Sequence, residues 1–126
     1  MKSVNRAVLI PGLICLLLFT GVVVSGAADW PQWRGANRDG ISTETGWKAD
    51  LPQEATAVLW KLSLGAGCSS FSVVGDRVYT MGNIEDRDYV YCINADTGAV
   101  LWKYEYECPA DPKMFEGGPG STPTVE

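Results

Sequence analysis

Side chains able to do chemistry are few and scattered in this 126-residue chain. It contains no histidine. That removes the commonest general base, the commonest metal ligand and every Ser-His or Cys-His nucleophile pair. Asn83, Glu85, Asp86 and Asp88 form one acidic cluster. A hard cation wants several oxygen ligands converging on one point, and the spacing lacks the Asp-x-Asp-x-Asp-Gly pattern of a calcium loop. The cluster reads more simply as a solvated hairpin loop. Arg34 and Arg38 suit an anionic ligand and equally suit pairing with Asp29 or Asp39, and surface pairs of that kind contribute little. Trp30, Trp33 and Trp47 read as packing anchors, with a sugar-stacking platform as the alternative. Cys68, Cys92 and Cys108 form no Cys-x-x-Cys or adjacent pair, so nothing indicates a redox motif or zinc ribbon. Their odd number permits one bridge and one leftover thiol, and Cys92 reads as a small buried hydrophobe in a strand. No catalytic residue and no metal ligand is expected.

Charge narrows the partners. The chain holds 10 Lys+Arg against 15 Asp+Glu, and Lys2 and Arg6 lie in the first 28 residues, which carry no acid. The remainder has 8 against 15, a net charge near −7. So acidic a surface repels phosphate backbones, and nucleic acid is not an expected partner.

Residues 1–28 read as an export leader. Met1 to Arg6 is positive, Ala7 to Val24 is apolar, and Ser25-Gly26-Ala27-Ala28 offers small residues to a signal peptidase, with cleavage after Ala27 or Ala28. The alternative is an uncleaved anchor, since about 18 apolar residues just span a bilayer. Pro11, Gly12 and Gly21 weaken such a helix. Either way the rest is expected outside the cytoplasm, in the periplasm or beyond, with membrane contact only through an uncleaved leader.

Residues 29–54 are rich in Gly, Asn, Asp, Arg and Trp without periodicity and read as an irregular lead-in. From 55 to 126 the pattern is strand after strand. Expected strands are Ala57–Leu62, Phe71–Val74, Arg77–Met81 ending at Gly82-Asn83, Asp88–Ile93 and Ala99–Tyr106, with Ser121–Val125 opening another. Short strands at such spacing, joined by turn residues, indicate an antiparallel all-β fold rather than βαβ units.

A repeat refines this expectation. Val58-Leu59-Trp60-Lys61 and Val100-Leu101-Trp102-Lys103 are the same tetrapeptide 42 residues apart. A period near 40 with about four strands per unit points to a β-propeller blade. Cys92-Ile93-Asn94-Ala95-Asp96-Thr97-Gly98-Ala99-Val100-Leu101-Trp102 resembles the repeat of quinoprotein-like (pyrroloquinoline-quinone-like) β-propellers. Thr97, Gly98 and Trp102 match that pattern, while Asn94 stands where it has Asp and Cys92 where it has Ala. Asp29-Trp30-Pro31-Gln32-Trp33-Arg34-Gly35 also resembles the start of secreted bacterial proteins of this class. The resemblance implies a tryptophan-docking motif of Asn94, Thr97, Gly98, Trp102 and Trp60, with Trp102 docking between blades near the Thr97-Gly98 turn. From Asp29 onward there are 98 residues, room for about one full blade and flanking strands where propellers use about four to eight. An incomplete propeller, an apparent N-terminal fragment, is therefore expected.

The resemblance implies a binding or assembly module without catalysis, its partner a protein or further propeller blades. A quinoprotein dehydrogenase oxidising an alcohol or sugar with pyrroloquinoline quinone and calcium is the alternative. No adjacent cysteines occur, and Trp60 and Trp102 sit at docking rather than stacking positions, so neither cofactor is evident. A polysaccharide-binding module is the further alternative.

Overall fold

Runs of Val, Tyr and Ile separated by short turns form the strands, because branched and aromatic side chains fit a pleated, half-buried surface. A computed structural model describes residues 27–46, 50, 57–111, 113 and 117–126. The leader as far as Gly26 and Trp47 lie outside the described residues. No helix of the structure is long and apolar enough to cross a membrane, among the described residues.

Among the described residues there are four strands: β1 (Ser72–Val74), β2 (Arg77–Ile84), β3 (Arg87–Asn94) and β4 (Val100–Glu107). They form one antiparallel sheet in sequence order. The Gly75-Asp76 turn joins β1 to β2, with Val74 paired to Arg77. Glu85 and Asp86 join β2 to β3 with φ of 52° and 60°. Positive φ at both central residues matches the right-handed twist of the flanking strands, which is why such turns close tight hairpins. Between β3 and β4, Cys92 faces Trp102 while Ile93 faces Val100. Leu101 is thus an extra residue, a bulge that sharpens the local twist.

Burial concentrates on β3, where Tyr91, Cys92 and Ile93 are all buried. Three consecutive buried residues mean that both faces of this strand are covered. Ser72 and Thr80 complete the solvent-free centre. Every residue of β4 is exposed.

The structure departs from the expected strands in three places. Ala57–Leu62 is not a strand, and Val58 and Leu59 are 79% and 82% exposed. β-propensity records packing on a sheet, and this segment has no hydrogen-bonded neighbour that makes it one. β2 does not stop at Gly82-Asn83 but runs to Ile84. Asn83 pairs with Asp88 on one side and exchanges both backbone hydrogen bonds with Ala66 on the other (2.7 and 2.9 Å). Gly82 lies so close to the Leu64 carbonyl that a Cβ would collide with it, so this glycine marks an approach of two backbones. Ser121–Val125 forms no strand. It is held instead by the Ser72 hydroxyl, which donates to the Pro123 carbonyl, and by the Val125 N–H, which donates to Pro31 O at 2.9 Å.

The irregular lead-in is fastened to the sheet edge. Trp30 and Val73 exchange backbone hydrogen bonds (2.7 and 2.8 Å), and the Asp29 carboxylate accepts from the Gly75 N–H at 2.8 Å.

Candidate functional site

The turn from β3 to β4 is built by one side chain. Asn94 Oδ1 accepts from the backbone N–H groups of Asp96 (3.2 Å) and Thr97 (2.9 Å) and from the Thr97 hydroxyl (2.9 Å). Gly98 N–H donates to Asn94 O at 2.9 Å. An Asx-type turn of this kind uses only the side-chain oxygen, so Asn serves as well as the Asp of the resembled pattern. Gly98 has φ of 71°, in the left-handed region, and its exposed backbone is the seat of an indole. A Cβ there would lie 2.6 to 2.9 Å from Cδ2, Cγ and Cβ of Trp60. The Trp60 Nε1–H donates to Ala95 O at 2.7 Å.

Asn94, Thr97, Gly98 and Trp60 are therefore brought together, and Trp102 is not. The resemblance put Trp102 at the Thr97-Gly98 turn, but the ring there is Trp60. Trp102 is 46% exposed on β4 and makes a tilted contact with Tyr79 at 6.1 Å between centroids. Trp102 leaves its own turn as part of the outgoing strand and cannot fold back over it. Trp60 lies 35 residues before Ala95 and reaches the turn from outside.

A second constellation was missed by sequence reasoning. Asn83 and Asp88 are buried, not parts of a solvated loop. Of the four cluster residues, Glu85 and Asp86 are the exposed ones. Asn83 Nδ2 donates to Asp88 Oδ1 and to Cys108 O, both at 2.8 Å, and the Tyr106 hydroxyl donates to Asp88 Oδ2 at 3.1 Å. Burial first, then its bond to Asp88, holds the Tyr106 hydroxyl above its ordinary pKa. Hydrogen bonding to Asp88, then burial, raises the Cys108 thiol. A thiol kept protonated is a poor nucleophile, and the hydrogen bonds of this cluster tie the ends of β2, β3 and β4 together. The available signal was register: a tight turn at Glu85-Asp86 places Asn83 opposite Asp88, and Asp88 faces Tyr106.

All three cysteines of the described region are unbridged. Cys68 is exposed, Cys92 is buried within β3, and Cys108 is half-buried.

No group of three or more Cys, Asp or Glu side chains converges on a point, among the described residues. The Asp88 carboxylate already satisfies Asn83 and Tyr106. A depression of about 630 Å³ between residues 61–71 and β2 has Lys61 as its one ionisable side chain, beside Leu64, Phe71, Thr80 and Met81.

No family model, no curated protein and no solved structure matches the chain.

Proposed function

We propose that this chain is an exported β-propeller module of the quinoprotein-like repeat kind, working in binding and protein assembly without catalysis of its own. The observation that carries the reading is a docked tryptophan beside an undocked twin. Trp60, from one Val-Leu-Trp-Lys, sits on a Gly98 turn and donates to the Ala95 carbonyl. Trp102, from the other, stands on an outer strand exposed along its whole length. The surface that receives Trp60 defines the partner chemistry for Trp102: a glycine turn with an outward carbonyl on a neighbouring sheet. A large ring with an N–H to satisfy gains most from such a seat.

The test pairs a vacant turn with an available ring. A Trp60→Ala chain carries an empty Asn94–Gly98 turn, and the unaltered chain carries Trp102. Labelled Trp60→Ala chain should co-sediment with the unaltered chain, and Trp102→Ala in the donor should abolish the complex. Absence of any complex, or one indifferent to Trp102, would overturn the assembly reading. Mass spectrometry of the chain expressed from Met1 tests export, since processing should leave an N-terminus at Ala28 or Asp29.

A further inference from the structure

We infer that the lead-in loop carries a binding site for a carboxylate-bearing saccharide, built from Trp33, Arg34, Arg38 and Gln32. These residues, with Thr124, line a surface depression of about 340 Å³, near the lower end of the roughly 300–1,000 Å³ of small-molecule sites.

The loop is shaped before any ligand arrives. Backbone bonds run from Gly35 N to Gln32 O (2.9 Å), Arg38 N to Gly35 O (3.1 Å) and Gly40 N to Arg34 O (2.9 Å). The Gln32 amide donates to the carbonyls of Gly35 and Ala36, both at 3.2 Å. Trp30 packs on Gly35 and ties the loop to β1. Trp30 is thus the packing anchor, and Trp33 is left 62% exposed.

Three features specify the ligand. The Trp33 ring offers a broad apolar face in water, the surface on which the C–H face of a pyranose stacks. Arg34 lies over that ring at 5.4 Å. Among the described residues its side chain makes one hydrogen bond, from Nη2 to Asp39 O at 3.3 Å. Arg38 uses Nε to donate to Gln32 Oε1 at 3.1 Å, which orients the guanidinium and leaves its terminal N–H groups unengaged among the described residues. Neither arginine has a carboxylate within 4.0 Å among those residues, whereas Arg77 and Arg87 both do. Planar guanidinium forks match carboxylates in a two-pronged geometry.

Backbone conformation adds an independent observation. Arg34 and Arg38 adopt φ of 64° and 59°, a region costly for residues with a Cβ, and such strain gathers at binding sites. Folding places two cations on the lining of one depression at this cost in a chain of net charge −5. The acidic body also decides against a long phosphate polymer, which needs a continuous basic track. A short acidic sugar touches only the local pair.

Isothermal titration of the full chain with a trimer of galacturonic acid tests this. Saturable binding is expected, with at least about tenfold loss when the carboxylates are methyl-esterified, as charge-assisted pairs are removed. Trp33→Ala and Arg38→Gln should each lower affinity by a similar factor, and Arg77→Gln should not change it. Equal binding of the esterified trimer, inorganic sulfate binding as tightly as the trimer, or no binding would each overturn the proposal. The ester comparison uses the unaltered protein, so a variant that fails to fold does not rescue the idea.

Discussion

Replacing Gly98 by alanine tests whether the Trp60 contact is a coupled energetic unit. The backbone there has φ of 71°, and placing a Cβ in the left-handed region costs about 1–2 kcal/mol. The new methyl would also stand 2.6 Å from Trp60 Cδ2 and 2.7 Å from Cγ. Those atoms are the rigid base of the ring, so the indole must lift and surrender its 2.7 Å bond to Ala95 O, worth about 1 kcal/mol. The two contributions together make Gly98→Ala destabilising by about 2–3 kcal/mol. In a Trp60→Ala background only the backbone contribution of about 1–2 kcal/mol remains, leaving a coupling of about 1 kcal/mol. Urea unfolding of the four chains, followed by far-ultraviolet circular dichroism, closes the cycle. In thermal unfolding the coupling corresponds to about 4–8 °C for a domain of this size. If Gly98→Ala costs the same with and without Trp60, to within about 0.3 kcal/mol, the docked geometry is refuted.

Asp88→Ala should destabilise by about 2–3 kcal/mol, because it leaves one N–H of the buried Asn83 amide without its acceptor as well as removing a hydrogen-bonded carboxylate. Tyr106→Phe, which removes one donor at the rim, should cost only about 1 kcal/mol in the same urea assay. Cys92→Ser should cost about 1–3 kcal/mol, since that site is fully buried and a hydroxyl there lacks a ready acceptor. Alkaline pH should weaken the fold. Burial raises Tyr89, Tyr91 and Tyr106 above 10.0, and the bond to Asp88 raises Cys108 above 9.0. The unfolded chain therefore loses these protons first as pH rises, so the contribution is intact below about pH 9 and lost progressively above it. A urea midpoint that holds steady between pH 8 and pH 10 would contradict this, and Cys108→Ser should move the onset upward.

Strands β2, β3 and β4 were legible because alternation and turn residues agreed along Arg77–Met81, Asp88–Ile93 and Ala99–Tyr106. The end of β2 was not. Gly82 and Asn83 have turn composition, yet Gly82 is there because the Leu64 backbone presses against it, a long-range fact with no local signature. Ala57–Leu62 erred the other way, since its apolar, β-prone residues met no strand partner among the described residues. Asn83 and Asp88 look like polar loop residues in sequence, and only the pairing of Asp88 with Tyr106 turns them inward. At the candidate site, Asn94, Thr97 and Gly98 were readable as a turn, because their hydrogen bonds span at most five residues. Which of two identical tetrapeptides supplies the indole was not readable, as both carry the same side chains.

The composition of β4 bears on how a partner could use it. An edge strand presents unpaired backbone groups that invite sheet extension, and charged side chains and bulges are the usual means of discouraging it. Here Lys103, Glu105 and Glu107 alternate along the C-terminal part of the strand, and Arg87 of β3 reaches Glu105 at 3.2 Å. Lys103 lies over the Tyr89 ring at 4.6 Å. Adding another strand over that half would bury charges or break these contacts. The N-terminal half holds no charge in Val100-Leu101-Trp102, and its ladder is already interrupted by the bulge at Leu101. Backbone pairing is thus disfavoured along both halves for different reasons, which leaves a partner the exposed side chains, the Trp102 ring among them. A contact made through one indole seated on a turn, rather than through a continued sheet, can be specific without making the edge prone to indiscriminate aggregation.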